Sequence, residues 1–98
     1  MTFFQRKVYR VVEKIPKGRV ISYRDVAKLV GSPQAWRAVG NILNKNRNPK
    51  IPCHRVIKSN GQIGGYNKGV NKKTSLLEKE GMVIRESKIV NLQKIWRR

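Results

Sequence analysis

Cys53 and His54 are the only cysteine and the only histidine of the chain, and they stand side by side in Ile51-Pro52-Cys53-His54-Arg55-Val56. A thiol attacks as its thiolate, and a neighbouring imidazole or cationic side chains bring its pKa down from ~8.5 toward neutrality. The chemistry open to such a pair is nucleophilic: sulfur bonds to an electrophilic centre while a base takes the proton. Adjacent side chains of an extended segment point to opposite sides, so contact between these two needs a turn or a bridging water. The competing role for a lone cysteine is that of a small buried hydrophobe, with the histidine an ordinary satisfied polar residue. One cysteine cannot form an internal disulfide, and one Cys with one His cannot complete a structural zinc site, so no metal is expected.

The elements around the pair must present it to a substrate, and charge indicates which kind. The 98 residues carry 23 Lys and Arg against 5 Asp and Glu, a net +18. That excess goes far beyond what solubility requires and fits a polyanionic partner, nucleic acid ahead of a merely solvated basic surface. There is no apolar run long enough to span a bilayer, no signal-peptide pattern and no lipidation motif, which favours a soluble, intracellular, cytoplasmic protein over a membrane-bound one. The length suits one domain, residues 1–98, resting on its own apolar core.

Hydrophobic spacing predicts the frame. Phe4, Val8, Val11, Val12 and Ile15 share one helical face opposite Gln5, Arg6, Lys7, Arg10 and Lys14, and Pro16 closes that helix near Ile15. Ser22 with Asp25 three residues on marks the start of a second helix over about Tyr23 to Val30, with Gly31 as its stop. Ser32 and Pro33 then read as cap and first position of a third helix running to about Lys45, its core face being Ala35, Ala38, Val39, Ile42 and Leu43. The opposite face holds Pro33, Arg37, Gly40, Asn41 and Asn44, polar and flat at Gly40. Two short helices across a glycine-containing turn make a helix-turn-helix pattern, weak alone and stronger beside this net charge. Trp36, on the flank, reads as edge packing ahead of a DNA contact. Downstream, Asn46 to Lys50 is a turn-rich connector, Ser59-Asn60-Gly61 a turn and Gly64 to Gly69 a glycine-rich loop around Tyr66. A helix over about Asn71 to Glu80 ends at Gly81, and the tail from Met82 to Arg98 is ambiguous between strand and helix.

Pro52-Cys53-His54-Arg55-Val56 resembles the active-site signature of the alkylguanine-DNA alkyltransferases, also called methylated-DNA–protein-cysteine methyltransferases. In order along the chain, Ile15-Pro16-Lys17-Gly18, Ser22-Tyr23, Arg37-Ala38-Val39-Gly40, Asn46, Gly64-Gly65-Tyr66 and Leu76-Leu77-Glu78-Lys79-Glu80-Gly81 carry the resemblance from about Phe3 to Gly81. It implies a mainly α, winged helix-turn-helix-like single domain with short strands and an active-site loop, the additional N-terminal domain of longer members being absent. It also implies an activity: transfer of an alkyl (methyl) group from O6 of guanine in double-stranded DNA to the protein's own cysteine, once per molecule, after base flipping. Cys53 would be the nucleophile, His54 its base through a water, Glu80 the carboxylate that orients His54, Asn46 the brace of the active-site turn and Tyr66 a pocket wall donating to the departing guanine. Tyr23, Arg37, Gly40, Asn41 and Arg55 are the set expected at DNA, with Tyr23 pressing on the target phosphate and Arg37 occupying the space of the flipped base. No cofactor or metal is implied, and the protein is expected to be a monomer.

The chain departs from the family pattern in three places. The connector from Asn46 to Cys53 is one residue short, Trp36 replaces a small residue, and Asn67-Lys68 replaces small residues after the tyrosine. Short alkyltransferase-like relatives bind alkylated guanine without repairing it, signal to another repair pathway and commonly carry tryptophan at the cysteine position. This chain resembles them in length and in its basic tail but keeps Cys53, which favours repair and leaves damage sensing as the alternative.

Overall fold

The computed structural model describes residues 2–96; Arg97 and Arg98, the end of the tail, lie outside the described residues. Helix α1, Phe3–Glu13, opens on a capping box in which Thr2 Oγ1 accepts the Gln5 N–H at 3.1 Å and Gln5 Oε1 accepts the Thr2 N–H at 2.9 Å. Its Val8, Val11 and Val12 are buried as the spacing requires, while Phe4 is half-buried. The helix stops two residues short of Ile15, because the Lys14 and Ile15 N–H groups reach only three residues back, to Val11 and Val12. This tightened turn delivers the chain to Pro16.

Strand β1, Ile21–Ser22, runs directly into α2, Tyr23–Leu29, and Ser22 serves both: its Oγ accepts the Asp25 N–H at 3.0 Å. At the far end Gly31, at φ +83°, closes the helix, its N–H bonding the Lys28 carbonyl at 3.0 Å and the next N–H, of Ser32, bonding Ala27 at 2.9 Å. That closure corrects the expected start of the third helix. Ser32 has spent its N–H on α2 and its carbonyl on Ala35 N–H at 2.9 Å, so 32–35 is a turn, and α3 spans Trp36–Asn44 with Ala35 as an N-cap that makes no side-chain bond. Val39, Ile42 and Leu43 face the core; Ala38, expected with them, is exposed.

After the connector, a 3₁₀ turn over Cys53–Arg55 leads into β2, Val56–Ile57, which lies parallel to β1 with Ile21 opposite Val56 and Ser22 opposite Ile57. The segment holding the reactive pair is thereby fixed to the strand that launches α2. Helix α4, Val70–Lys79, matches its expected bounds to one residue, with Glu80 as C-cap and Gly81 at φ +96°. Gly81 N–H to Glu78 and Met82 N–H to Leu77, both 3.0 Å, repeat the glycine closure of α2, and Met82 and Leu77 are buried together.

The tail resolves into a hairpin, β3 (Ile84–Arg85) antiparallel to β4 (Lys88–Ile89), then a 3₁₀ turn over Leu92–Lys94. The hairpin lies along Gly61–Ile63 through Ile63 N–H to Ser87 and Ile89 N–H to Gly61, both 2.9 Å, forming a wing. The last described residues return to the residue before β1, where Val20 N–H bonds the Lys94 carbonyl at 3.0 Å and Trp96 N–H bonds the Val20 carbonyl at 2.6 Å. One apolar cluster joins α1, α2 and α3 to Cys53 and Val56; a second joins Val20, Ile57, Ile63, Leu77, Met82 and Ile89 under the wing. The result is a mainly α winged helix-turn-helix. Among the described residues no helix is long and apolar enough to cross a membrane.

Candidate active site

Cys53 begins the 3₁₀ turn and packs, 7% exposed, against the core of α1–α3. Its Sγ accepts a hydrogen bond from Asn46 Nδ2 at 3.0 Å. Asn46 is placed by both ends of the connector: its backbone N–H bonds the Leu43 carbonyl of α3 at 3.1 Å, and its Oδ1 accepts the Asn48 N–H at 3.0 Å. Burial pushes the Cys53 thiol up, opposed by the Asn46 bond and by the positive charges of Lys73 and Lys68. The thiol is therefore a group that needs a base, in a setting that favours its anion more than an apolar pocket would.

His54 turns the other way. Its Nε2 lies 3.0 Å from Glu80 Oε2, so the pair adjacent in sequence is separated by the turn, and sulfur is held by Asn46 rather than by the imidazole. Burial lowers the His54 pKa in spite of the Glu80 carboxylate, which raises it. A neutral ring with its Nε2–H donated to Glu80 leaves Nδ1 as an open acceptor. Burial works against the charge of Glu80, but hydrogen bonds from Arg55 and His54 outweigh it and hold the carboxyl below its ordinary range.

Arg55 supplies most of that hold. Its Nε donates to Glu80 Oε1 at 2.9 Å and its Nη2 to Oε2 at 2.8 Å, a bidentate fork, while Nη1 donates to the Ile15 carbonyl at 2.8 Å. The expected place of Arg55 at DNA is revised accordingly: its guanidinium is turned inward, where it fixes Glu80 and ties the 3₁₀ turn to the segment that follows α1. A carboxylate taking two bonds from a guanidinium and one from an imidazole is satisfied, and no buried side-chain polar atom among the described residues lacks a partner.

A cavity of about 240 Å³ opens over the sulfur, lined by Tyr23, Gly40 and Asn41 from the helix-turn-helix and by Gly65, Tyr66 and Asn67 from the glycine-rich loop. A second cavity of about 210 Å³, lined by the connector, His54 and Lys68, shares Cys53, Tyr66 and Asn67 with the first. Asn67, whose amide donates to the Asn46 carbonyl at 2.7 Å and the Asn44 carbonyl at 3.1 Å, ties the loop to the connector and the end of α3. The Tyr23 ring meets two glycines. A Cβ on Gly64, at φ +75°, would lie 3.5 Å from its Cε2, and one on Gly40 would lie 3.9 Å from its edge. Burial raises the pKa of the Tyr23 and Tyr66 hydroxyls, so both remain proton donors at neutral pH.

Six of the expected residues thus meet around one cavity: Cys53, Tyr66, Tyr23, Gly40 and Asn41 line it, and Asn46 touches its sulfur. His54 and Glu80 meet beside it, with Arg55 on the same carboxylate. Arg37 is exposed on α3 and lines a neighbouring cavity instead. Lys73 was not among the expected residues. It is fully buried, donates from Nζ to the Val56 carbonyl at 2.8 Å and the Gly65 carbonyl at 3.1 Å, and lies 5.7 Å from the Tyr23 ring centre. Burial lowers its pKa to about 8 against the opposing pull of Cys53. Its sequence signal was a lysine four residues before buried Leu77, on the inward stripe of α4.

The chain as a whole is similar to known proteins. The family model of the 6-O-methylguanine DNA methyltransferase DNA binding domain matches residues 3–82. A methylated-DNA–protein-cysteine methyltransferase of Methanosarcina acetivorans is 46% identical over 83 residues, covering 82% of this chain and 52% of the relative. The chain thus spans about half the length of the curated relatives it matches. Among solved structures, Mycobacterium tuberculosis OGT in complex with DNA superposes with a TM-score of 0.78 at 42% identity, over 82% of this chain and 50% of that one. S. pombe Atl1, in complex with damaged DNA containing O6-carboxymethylguanine, superposes with a TM-score of 0.89 at 31% identity, over 100% of this chain and 98% of that one. With the match covering most of its length and the motif residues gathered at one cavity, the chain belongs to the family of the 6-O-methylguanine DNA methyltransferase DNA binding domain.

Proposed function

We propose that this protein binds double-stranded DNA containing alkylated guanine, flips the damaged base into the cavity over Cys53 and transfers the alkyl group to its own sulfur, once per molecule. One observation carries this reading: Sγ of Cys53 holds a hydrogen-bond donor at 3.0 Å from Asn46, while the adjacent His54 is oriented by Glu80, also at 3.0 Å. The donor stabilises the thiolate, and the carboxylate leaves the imidazole a base on its remaining nitrogen.

In this reading the thiol proton passes through a water to His54, and the thiolate attacks the alkyl carbon. A carbon–sulfur bond forms as the bond from carbon to O6 breaks. The electron pair returns to guanine, which takes a proton from the Tyr66 hydroxyl, and Tyr66 and His54 then exchange protons with solvent. The thioether is a poor leaving group, so the protein is consumed. Arg37 enters the duplex in place of the flipped base, Tyr23 presses on the target phosphate, and Gly40 with Asn41 presents the flat face of α3 to the minor groove. Residues 1–98 act as one domain, as a monomer inside the cell, without metal or cofactor.

A second reading draws on the end-to-end likeness to S. pombe Atl1: binding of the damaged base without transfer. Intact mass after mixing with a duplex carrying one O6-methylguanine decides between them. The addition of one methyl group, absent in Cys53→Ala, is the expected result; tight binding without a mass change would leave damage sensing as the function.

A further inference from the structure

Beside the cavity over Cys53 lies another of about 370 Å³, and the two share Tyr23 and Gly40. The walls it does not share include Trp36 and two arginines, Arg24 from α2 and Arg37 from α3. Trp36 is the first residue of α3, and its indole is half-buried against the α1–α3 core, which fixes the ring. The Arg37 guanidinium lies 5.1 Å from the centre of that ring and the Arg24 guanidinium 5.6 Å. Both arginines are exposed, and among the described residues neither has an ion pair or donates a side-chain hydrogen bond. The indole is what both rest on.

We propose that Trp36 is a positioning residue for base flipping, holding Arg37 and Arg24 as an ordered pair of cations on the rim of α2 and α3. The inference rests on the reading above in which Arg37 enters the duplex. An exposed arginine carries many rotamers, and ordering one at the moment of insertion costs side-chain entropy. A ring that is itself locked by the core removes part of that cost beforehand, because a guanidinium over an indole face is attracted and its conformations are restricted. The same ring spaces Arg24 from Arg37, so that Arg37 reaches the duplex still ordered against the indole while Arg24 stays at the strand. A smaller side chain at position 36 would leave both arginines on the surface with nothing to order them.

The test separates flipping from chemistry. Methyl transfer is timed in single turnover from a duplex and from a single strand carrying the same O6-methylguanine, since the single strand has no paired stack to leave. Trp36→Ala is expected to slow transfer from the duplex about fivefold, the factor matching about 1 kcal/mol of cation–π attraction. It should leave the single-strand rate unchanged, and Trp36→Phe should restore most of the duplex rate. Equal rates for Trp36→Ala and the wild type on the duplex would overturn the proposal, as would an equal slowing on both substrates or no rescue by phenylalanine. If the wild type transfers nothing, the alkyltransferase reading fails, and the proposal is decided by fluorescence of a 2-aminopurine flanking the lesion at saturating protein. A smaller rise with Trp36→Ala, restored by Trp36→Phe, supports it; an unchanged rise overturns it.

Discussion

The site has two sides, and they are built on opposite principles. The α3 side, with Asn46, Gly40, Asn41 and Tyr23, offers hydrogen-bonding groups and open space around one sulfur and carries no internal ion pair. The α4 side holds Glu80, Arg55 and His54 in a compensated charge cluster, and beside it the buried Lys73 ammonium rests on two backbone carbonyls with no carboxylate partner among the described residues. The contrast follows from what each side faces. Groups on an open face keep hydrogen-bonding capacity free for a ligand, whereas a buried charge needs an opposite charge or hydrogen-bond acceptors in place, because desolvation costs several kcal/mol per ion. Stability and reactivity should therefore separate: substitutions on the α4 side cost both, and those on the α3 side cost function with little loss of stability.

The largest effect is expected from Glu80→Ala. It removes the partner of His54 and leaves the Arg55 guanidinium, 16% exposed, without its carboxylate. Breaking a buried pair from one end costs about 3 kcal/mol or more, and loss of the orienting carboxylate should slow transfer by roughly a hundredfold. Asn46→Ala on the other side removes a donor to sulfur, with a stability cost of about 1 kcal/mol. Urea unfolding of both variants beside timed methyl transfer makes the comparison; equal losses of stability would erase the distinction between the two sides.

Lys73 sharpens it through pH. Its pKa is about 8 in the folded protein and 10.5 ordinarily, so between those values the unfolded chain holds a proton that the folded chain has released. Stability from this group is full above pH 10.5 and is lost as pH falls to 8, a span of about 3 kcal/mol by linkage. Lys73→Met, which cannot titrate, lacks that dependence. The stability difference between wild type and variant should therefore grow in favour of the wild type by about 2 kcal/mol from pH 8 to 9.5. A difference that stays flat over this range would show that the ammonium is not desolvated.

Most helix ends are legible in the chain and the packing of the α4 side is not, for a physical reason. Ser22, Gly31 and Gly81 act within a few residues of themselves, so the starts and stops they impose can be read locally. The start of α3 was misplaced because Ser32 and Pro33 carry good cap chemistry, yet the Ser32 N–H was already claimed by the closure of α2. The family resemblance placed Glu80 beside His54, but the fork from Arg55 and the burial of Lys73 depend on α4 packing against the segment of β2. Nothing near Arg55 announces that packing, and for Lys73 the local signal is only its place four residues before Leu77 on the inward stripe of α4. The tail hairpin was hidden for another reason: Glu86 and Ser87 turn it at φ +51° and +63° without the Asn-Gly pair that ordinarily signals such a turn.

The smallest effect is the one that separates the two properties by sign. Gly40 lies inside α3, and glycine there costs ~1 kcal/mol relative to alanine. A Cβ at this position would meet only the Tyr23 ring, at 3.9 Å, an ordinary van der Waals contact. Gly40→Ala should therefore raise stability by about 0.5–1 kcal/mol, visible as a higher urea midpoint. On the outer face the added methyl stands where the proposed duplex must come closest, so affinity for DNA should fall several-fold while transfer from a single strand changes less. Higher stability with unchanged duplex affinity would remove Gly40 from the contact face. Lower stability would mean that the Tyr23 ring cannot accept the methyl, and that the open space of the α3 side is as tightly fitted as the charge cluster opposite.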